Sequence, residues 1–387
     1  MINESAVIDK VELYEVKIPL KVPFQISGGV SYFRRSLIVV LHSGEFKGYG
    51  EAAPFDEPYY SSETISSVKA LYNEVLFKRI VGKSISSINH MNKILSEGIR
   101  GNNFAKCGIE NAYWELLCNK NNCTMKELIL YKLKAMETEE KYLEHKPYIE
   151  SGVSIGIPVD GKLETLAKWT EEYITDGYKR IKIKIKPGWD ISALELVRNI
   201  IGEYPLWTDS NSSFDYKTHK DIFKAMDKYN CLFHEQPLHH DDIIDHSKLG
   251  KYIDTPICLD ESLKSYKVAK QALEIGASSI WNIKIQRIGG LLEGLKIYKL
   301  AVENDIKLWG GTMPESGIGA IPIINLASLC GFVYPADVEA SERWYGAGND
   351  LIELEMSKDG RIIVPTCTSV EEIIDKNNFQ KFCTKII

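Results

Sequence analysis

The run RIKIKI at residues 180–185, continued by Lys186, sets isoleucine and lysine in strict alternation. On an exposed antiparallel strand the lysines would face solvent and the isoleucines a core. In a parallel barrel the sense reverses. Ile181, Ile183 and Ile185 then face the surrounding helices, and Lys182, Lys184 and Lys186 point into the barrel, where a desolvated ammonium needs a partner or a task. The neighbouring chain decides between the two. Seven further short apolar runs flank this one: GVSIGI (152–157), LWTD (206–209), LFHE (232–235), ICLD (257–260), IWNIK (280–284), KLWGG (307–311) and FVYPAD (332–337). They recur about every 25 residues, the length of one strand-loop-helix-loop unit, and eight is the number that a closed barrel of about 200 residues requires. Stretches such as IFKAMDKYN and AKQALEIGA between them fit crossover helices. An open doubly wound sheet is the rival arrangement, but no GxGxxG follows the first strand.

The expected fold class is therefore α/β, a (β/α)8-type barrel with an N-terminal α+β domain. Residues 7–20 and 36–42 alternate as strands joined by the polar loop QISGGVSYFRR, and helical spacing begins at Ser61 and again at Asn102. A charged stretch, Glu137 to Glu144, and Pro147 mark a boundary near 147. This predicts a first domain over 1–146 and a barrel over 147–346. The tail, about 347–387, returns to the first domain through the β-like run LIELEMSKDGRIIV.

The 387 residues carry 47 basic and 53 acidic side chains, a formal charge of −6. Phosphate binding asks for a basic face, so nucleic acid is not an expected partner. No membrane span is expected either. The longest apolar stretch, Ile321 to Ala336, is broken by Pro322, Asn325 and Pro335 and falls short of the roughly 20 residues a spanning helix needs. Met1 to Glu15 has neither the basic nor the apolar region of a secretory signal, which makes the cytoplasm the expected location. The eight scattered cysteines then read as free thiols, and Cys118 and Cys123 lack the second Cys/His pair of a zinc site.

Three runs end in a carboxylate: Asp209, Glu235 and Asp260. Strand C-termini ring the mouth of a barrel, so these acids converge. Three anions within several Å repel one another unless a hard divalent cation sits between them, and oxygen-only ligation suits Mg²⁺, with Mn²⁺ as a substitute. Each acid alone could equally be a helix cap. Lys284, ending the sixth run, faces the second run across the barrel, so that two lysines oppose each other over the metal. Partial burial, a neighbouring ammonium and the cation would push a lysine down toward the range of a base at neutral pH. A cation that holds a carboxylate, with lysines reaching its α-carbon from opposite faces, suits α-proton abstraction through an enediolate. Asn211, two residues past Asp209, is a polar group placed either to support a ligand or to contact substrate. Gly310 and Gly311, then Glu315-Ser316-Gly317 ahead of a helix, offer backbone amides to an anionic substrate arm.

The ordered motifs KIKIKPGWD (182–190), DSN (209–211), EQP (235–237), DES (260–262), NIKIQRIGG (282–290) and GGTMPESGIG (310–319) resemble the enolase superfamily, muconate-lactonizing-enzyme branch. Within it the chain is most similar to the o-succinylbenzoate synthase / N-succinylamino acid racemase family. The resemblance spans essentially the whole chain and implies that the first domain caps the barrel, with the loop Phe24 to Arg35 closing over substrate. It implies Asp209, Glu235 and Asp260 as Mg²⁺ ligands and Lys184 as the acid/base, where spacing alone leaves Lys182, Lys184 and Lys186 open. In the synthase reaction Lys184 would take the α-proton and assist a syn loss of hydroxyl while Lys284 steadies the enediolate; in racemisation the two would exchange roles. Arg287 occurs in the branch that includes the racemases. The resemblance also implies a small carboxylate substrate and a homo-oligomer.

Two departures bear on substrate. Met313-Pro314 replaces the usual Met-Leu and Ala320 stands where arginine is common. After the eighth run, Asp337-x-Glu339 resembles the acidic pair with which dipeptide epimerases bind an ammonium. Dipeptide epimerase or another cycloisomerase activity is the alternative reading. The absence of histidine at the end of the seventh run argues against the mandelate racemase and sugar-acid dehydratase branches. Outside catalysis, the alternative is a metabolite-binding barrel, against which the intact set of buried acids and lysines speaks.

Overall fold

The computed structural model describes residues 2–25 and 29–387. Seven parallel strands follow one another around a curled sheet in chain order: Val153–Ile155, Ile181–Lys184, Leu206–Asp209, His234–Glu235, Ile257–Leu259, Ile280–Ile283 and Lys307–Gly310. The eighth run is not a regular strand, because Pro335 has no N–H to give to a ladder. It nevertheless joins the two ends. Phe332 bridges to Leu308 and Ala336 to Ser151, both parallel. Asp337 N donates to Gly310 O at 2.8 Å and Gly152 N to Ala336 O at 2.9 Å.

Alternation along the second strand settles its facing. Ile181, Ile183 and Ile185 are buried in one cluster with Leu166 of helix Leu163–Thr175 and with Leu194 and Val197 of helix Ile191–Ile201. Lys182 and Lys184 therefore turn inward. A floor of Trp207, Phe233, Cys258, Ile280 and Trp309 closes the barrel below, with Trp207 stacked on Phe233 at 4.3 Å. One inward step up from that floor, at the period of two that a strand dictates, stand Asp209, Glu235, Asp260 and Asn282.

The first domain is built on the antiparallel strands Lys10–Gln25, Val30–Ser43 and Phe46–Ala52. The polar connection expected over 25–35 is thus mostly strand: Phe24 pairs with Ser31 and Gln25 with Val30. Residues 26–28 of the expected closing loop lie outside the described residues. Helix Asn103–Asn121 packs on Phe46–Ala52 at close range, since a Cβ on Gly48 would meet Ala112 O at 2.1 Å and one on Gly50 would meet Gly108 O at 2.2 Å. Of the tail, Cys383–Lys385 pairs with Lys10–Gln25. The run 351–364 does something else. Its strand Arg361–Ile363 pairs with Tyr148–Glu150, just before the first barrel strand, rather than with the N-terminal sheet.

One hydrophobic core runs through both parts, from Leu13, Leu41 and Trp114 to Trp281, Ile283 and Leu295. Glu110, buried on helix Asn103–Asn121, crosses the junction to accept Leu291 N at 2.7 Å and Leu292 N at 2.9 Å at the start of helix Leu291–Val302. Among the described residues no helix is long and apolar enough to cross a membrane.

Candidate active site

Asp209 and Glu235 end the third and fourth strands and Asp260 directly follows the fifth, all fully buried, with one carboxylate oxygen from each within 4.8 Å of the others. Lys184 Nζ donates to Asp209 Oδ2 at 2.5 Å on one flank of this triad, and Lys284 Nζ to Asp260 Oδ2 at 2.8 Å on the other. Lys182 lies beneath. Its ammonium meets Asp337 Oδ2 at 2.5 Å, Glu235 Oε2 at 3.3 Å and Asp209 Oδ2 at 3.4 Å. Lys186 is not in this group, for its backbone bridges to Trp189 in a turn beyond the strand. Asn282 Nδ2 holds Glu235 Oε1 at 2.8 Å.

Burial and charge divide the triad. Burial raises all three carboxyls; Lys184 and Lys182 nevertheless hold Asp209 below the usual range, and Lys284 and Arg287 hold Asp260 well below it. Glu235, buried beside Asp209, is pushed well up. The expectation of a depressed lysine counts the cation's charge as well, and the acids by themselves act the other way. Burial alone would lower Lys182 and Lys284, but Asp337, Glu235 and Asp209 outweigh it for Lys182, and Asp260 for Lys284, so these acids hold both ammoniums above an ordinary lysine.

Lys182, Lys184 and Lys284 line a cavity together with Phe24, Phe55, Tyr60, Met313 and Trp344, and the triad they contact is buried behind them. The donor set fits a hard divalent cation. It is oxygen-only, it is buried, and Glu235 Oε2 accepts no hydrogen bond among the described residues, the Lys182 ammonium 3.3 Å away being an ion-pair contact. Asn211 stands at the cavity edge, its amide N donating to Asp209 Oδ1 at 3.0 Å and its Nδ2 to Glu261 Oε1 at 2.9 Å. Arg287 pairs with Asp260 and donates to Asn282 O at 2.6 Å, which makes it a brace of the carboxylate.

Four expected substrate contacts are otherwise engaged. Gly311 N donates to Ile283 O at 3.1 Å in the sheet. Ser316 gives both its N–H and its hydroxyl to Glu51, the latter at 2.5 Å. Gly317 N goes to Asp350 at 3.1 Å. Glu315 folds back to accept Met313 N at 3.0 Å, its carboxyl pushed by burial to about 7. Three of the amides expected to receive an anionic substrate arm, those of Gly311, Ser316 and Gly317, thus serve the protein's own carbonyl and carboxylates.

Asp337 and Glu339 line the cavity, but both are paired from within. Asp337 holds Arg180 and Lys182, which keep it well below the usual range against the pull of burial. Glu339 Oε1 accepts Ser154 N at 2.9 Å and its Oε2 lies 3.2 Å from Arg343 Nε. Burial raises its carboxyl to about 7. Sequence reasoning missed Arg180, Tyr60, Asn282 and Arg343. Arg180 shares the inward parity of Lys182 and Lys184, so the alternation already held its signal. Tyr60, whose hydroxyl lies 3.3 Å from Lys284 Nζ and 3.5 Å from Arg287 Nη1, arrives from the first domain with no periodic pattern to announce it.

Comparison with known proteins agrees with this geometry. Residues 165–368 match the family model described as enolase C-terminal domain-like, and residues 8–129 match the mandelate racemase / muconate lactonizing enzyme N-terminal domain. An o-succinylbenzoate synthase from Geobacillus stearothermophilus is 34% identical over 97% of this chain and 96% of its own. An N-succinylamino acid racemase from Thermus thermophilus is 34% identical over 92% of each. Among solved structures, an enolase-superfamily member from Listeria innocua superposes with a TM-score of 0.87 at 31% identity, covering 99% of both chains. A dipeptide epimerase from Cytophaga hutchinsonii, at 21% identity and a TM-score of 0.86 over 98% and 99% of the two chains, shares the fold.

Proposed function

The chain belongs to the mandelate racemase / muconate lactonizing enzyme family of the enolase superfamily, and we propose that it is a metal-dependent enzyme abstracting a proton α to a carboxylate, with o-succinylbenzoate synthase or N-succinylamino acid racemase activity. The observation that carries this reading is the placement of Lys184 and Lys284, both lining the cavity, on opposite flanks of the buried Asp209–Glu235–Asp260 triad. Asp209, Glu235 and Asp260 would hold Mg²⁺, or Mn²⁺ in its place. When bound, that ion supplies the positive charge that makes the proton beside a carboxylate acidic.

The chain's own residues do the rest. Lys184 takes the α-proton and, in the synthase reaction, returns a proton to the departing hydroxyl on the same face. Lys284 keeps a cation beside the negative charge that remains, and in racemisation Lys184 and Lys284 exchange the roles of base and acid. Phe24, Phe55 and Trp344 keep water from the site. The eight free cysteines suit a reducing compartment, so we place the enzyme in the cytoplasm.

Dipeptide epimerisation is the weaker reading, because Asp337 and Glu339 are already matched by Arg180, Lys182 and Arg343 and leave no net negative charge for a substrate ammonium. The test is conversion of 2-succinyl-6-hydroxy-2,4-cyclohexadiene-1-carboxylate to o-succinylbenzoate with saturating Mg²⁺, as in menaquinone synthesis. We expect turnover that chelation and Lys184→Ala each reduce by at least about a hundredfold. No turnover by folded, metal-loaded protein removes the synthase activity and leaves the racemase.

A further inference from the structure

The segment Glu315-Ser316-Gly317-Ile318-Gly319 has the look of an anion-binding helix start, and an anion does sit there. It is Glu51, from the end of the first-domain strand Phe46–Ala52. The Glu51 carboxylate is wholly buried and accepts Ser316 N at 3.1 Å, Ser316 Oγ at 2.5 Å and Gly319 N at 3.0 Å. These are the amides that the start of helix Gly317–Ala327 leaves without intrahelical partners. Gly319 makes the room, since a Cβ there would lie 2.6 Å from Glu51 Oε2. A second bond pair anchors the same strand end to the barrel. Gln286 Nε2 donates to Glu51 O at 2.8 Å, and Ala53 N donates to Gln286 Oε1 at 3.1 Å. Gln286 lies between Lys284 and Arg287 in chain order, so the Glu51 strand end is fastened to the loops that follow both the sixth and the seventh barrel strands.

The consequence lies in what those loops carry. Thr312, Met313 and Pro314, just ahead of the helix start that Glu51 fills, form one wall of the cavity; Phe55 and Tyr60, just beyond Ala53, form another. We propose that Glu51 is a positioning residue. By filling the start of helix Gly317–Ala327 from the first domain, it fixes the height of the 311–316 loop over the cavity and so sets affinity for the part of the substrate remote from the α-carbon. It touches no reacting atom, so the proton-transfer step does not depend on it. The kinetic half of this inference rests on the proposed activity; the structural half does not.

Glu110 provides the comparison that separates positioning from simple docking of the domains. It too is a buried first-domain carboxylate holding two amides at a barrel helix start, but helix Leu291–Val302 contributes nothing to the cavity lining. The experiment measures hydrogen exchange of the 311–319 amides in ligand-free protein, and kcat and KM with turned-over substrate, for wild type, Glu51→Gln and Glu110→Gln. For Glu51→Gln we expect 311–319 exchange to accelerate about tenfold or more and KM to rise about tenfold with kcat within about twofold, the pattern of lost binding that is uniform through the reaction. For Glu110→Gln we expect wild-type exchange at 311–319 and wild-type KM. Should Glu51→Gln fail to fold, Ser316→Ala removes the hydroxyl contact alone and is expected to move both readouts in the same direction by a smaller factor. Unchanged exchange at 311–319 overturns the proposal whatever the enzyme turns over. So does a loss confined to kcat, or an equal effect from Glu110→Gln.

Discussion

Asp337 shows how much of this site is counter-charge rather than chemistry. Its carboxylate is matched by Arg180 and Lys182, all three buried, and such a group costs most when one member is removed and the others stay charged. We expect Asp337→Ala to destabilise the protein by about 3–5 kcal/mol, read from urea midpoints, because buried Arg180 loses its carboxylate and Lys182 its nearest one. Glu339→Ser is expected to leave synthase turnover within about threefold while loosening Arg343, since an acid already neutralised recruits no ammonium; a large, selective loss of activity on a cationic substrate would return the dipeptide reading. The triad and the flanking lysines were legible because strand alternation is a rigid rule: once the barrel is accepted, parity sends Lys182, Lys184 and Lys284 inward. The same rule sends Arg180 inward, toward Asp337. Parity could not say which partners the inward charges would find. For that reason the partners of Ser316 and Asp337 inside the protein, Glu51 for the one and Arg180 with Lys182 for the other, are not legible in the sequence.

At the scale of single elements, the eight barrel runs stood out because short apolar strands at even spacing are what a parallel barrel requires. The eighth closes the ring by bridges alone, a consequence of Pro335. The connection over 25–35 carries the glycines and polar residues of a loop, yet its ends continue the hairpin, with Gln25 paired to Val30. The loop after the fourth strand depends on His246 of helix Ile243–Tyr252. The ring Nδ1 bonds Asp242 O at 2.5 Å and Nε2 accepts Leu238 N at 3.3 Å, which requires the neutral form. Burial pushes this histidine from 6.5 to about 4. In the unfolded chain it takes its proton near 6.5, so the stabilisation is whole above that pH and is lost as pH falls toward 4, on the order of 3 kcal/mol in all. Denaturant midpoints of wild type and His246→Gln should therefore converge between pH 7 and pH 5. A gap that stays constant contradicts the assignment.

For the molecule as a whole, the boundary near residue 147 describes the sequence pattern better than the packing. The core passes without a break from the N-terminal sheet into the barrel, and Glu110 ties the two together across the junction. Neither part buries its faces alone, so we expect one cooperative thermal transition, coincident by tryptophan fluorescence and far-ultraviolet circular dichroism; two separated transitions would show independent domains. Binding of Mg²⁺ should raise that transition in wild type but not in Glu235→Gln, by linkage to the folded state. This union brings Phe24, Phe55 and Tyr60 over the barrel mouth, and sequence patterns within either part could not reveal it. The central claim is that two opposed lysines move one α-proton. It is tested most directly by following, by proton NMR in deuterated water with saturating Mg²⁺, α-proton loss from each enantiomer of an N-succinyl amino acid. Wild type should exchange both enantiomers, while Lys184→Ala and Lys284→Ala should each lose exchange from a different one. No exchange by folded, metal-loaded wild type, or exchange from both enantiomers that survives either substitution, would contradict the account.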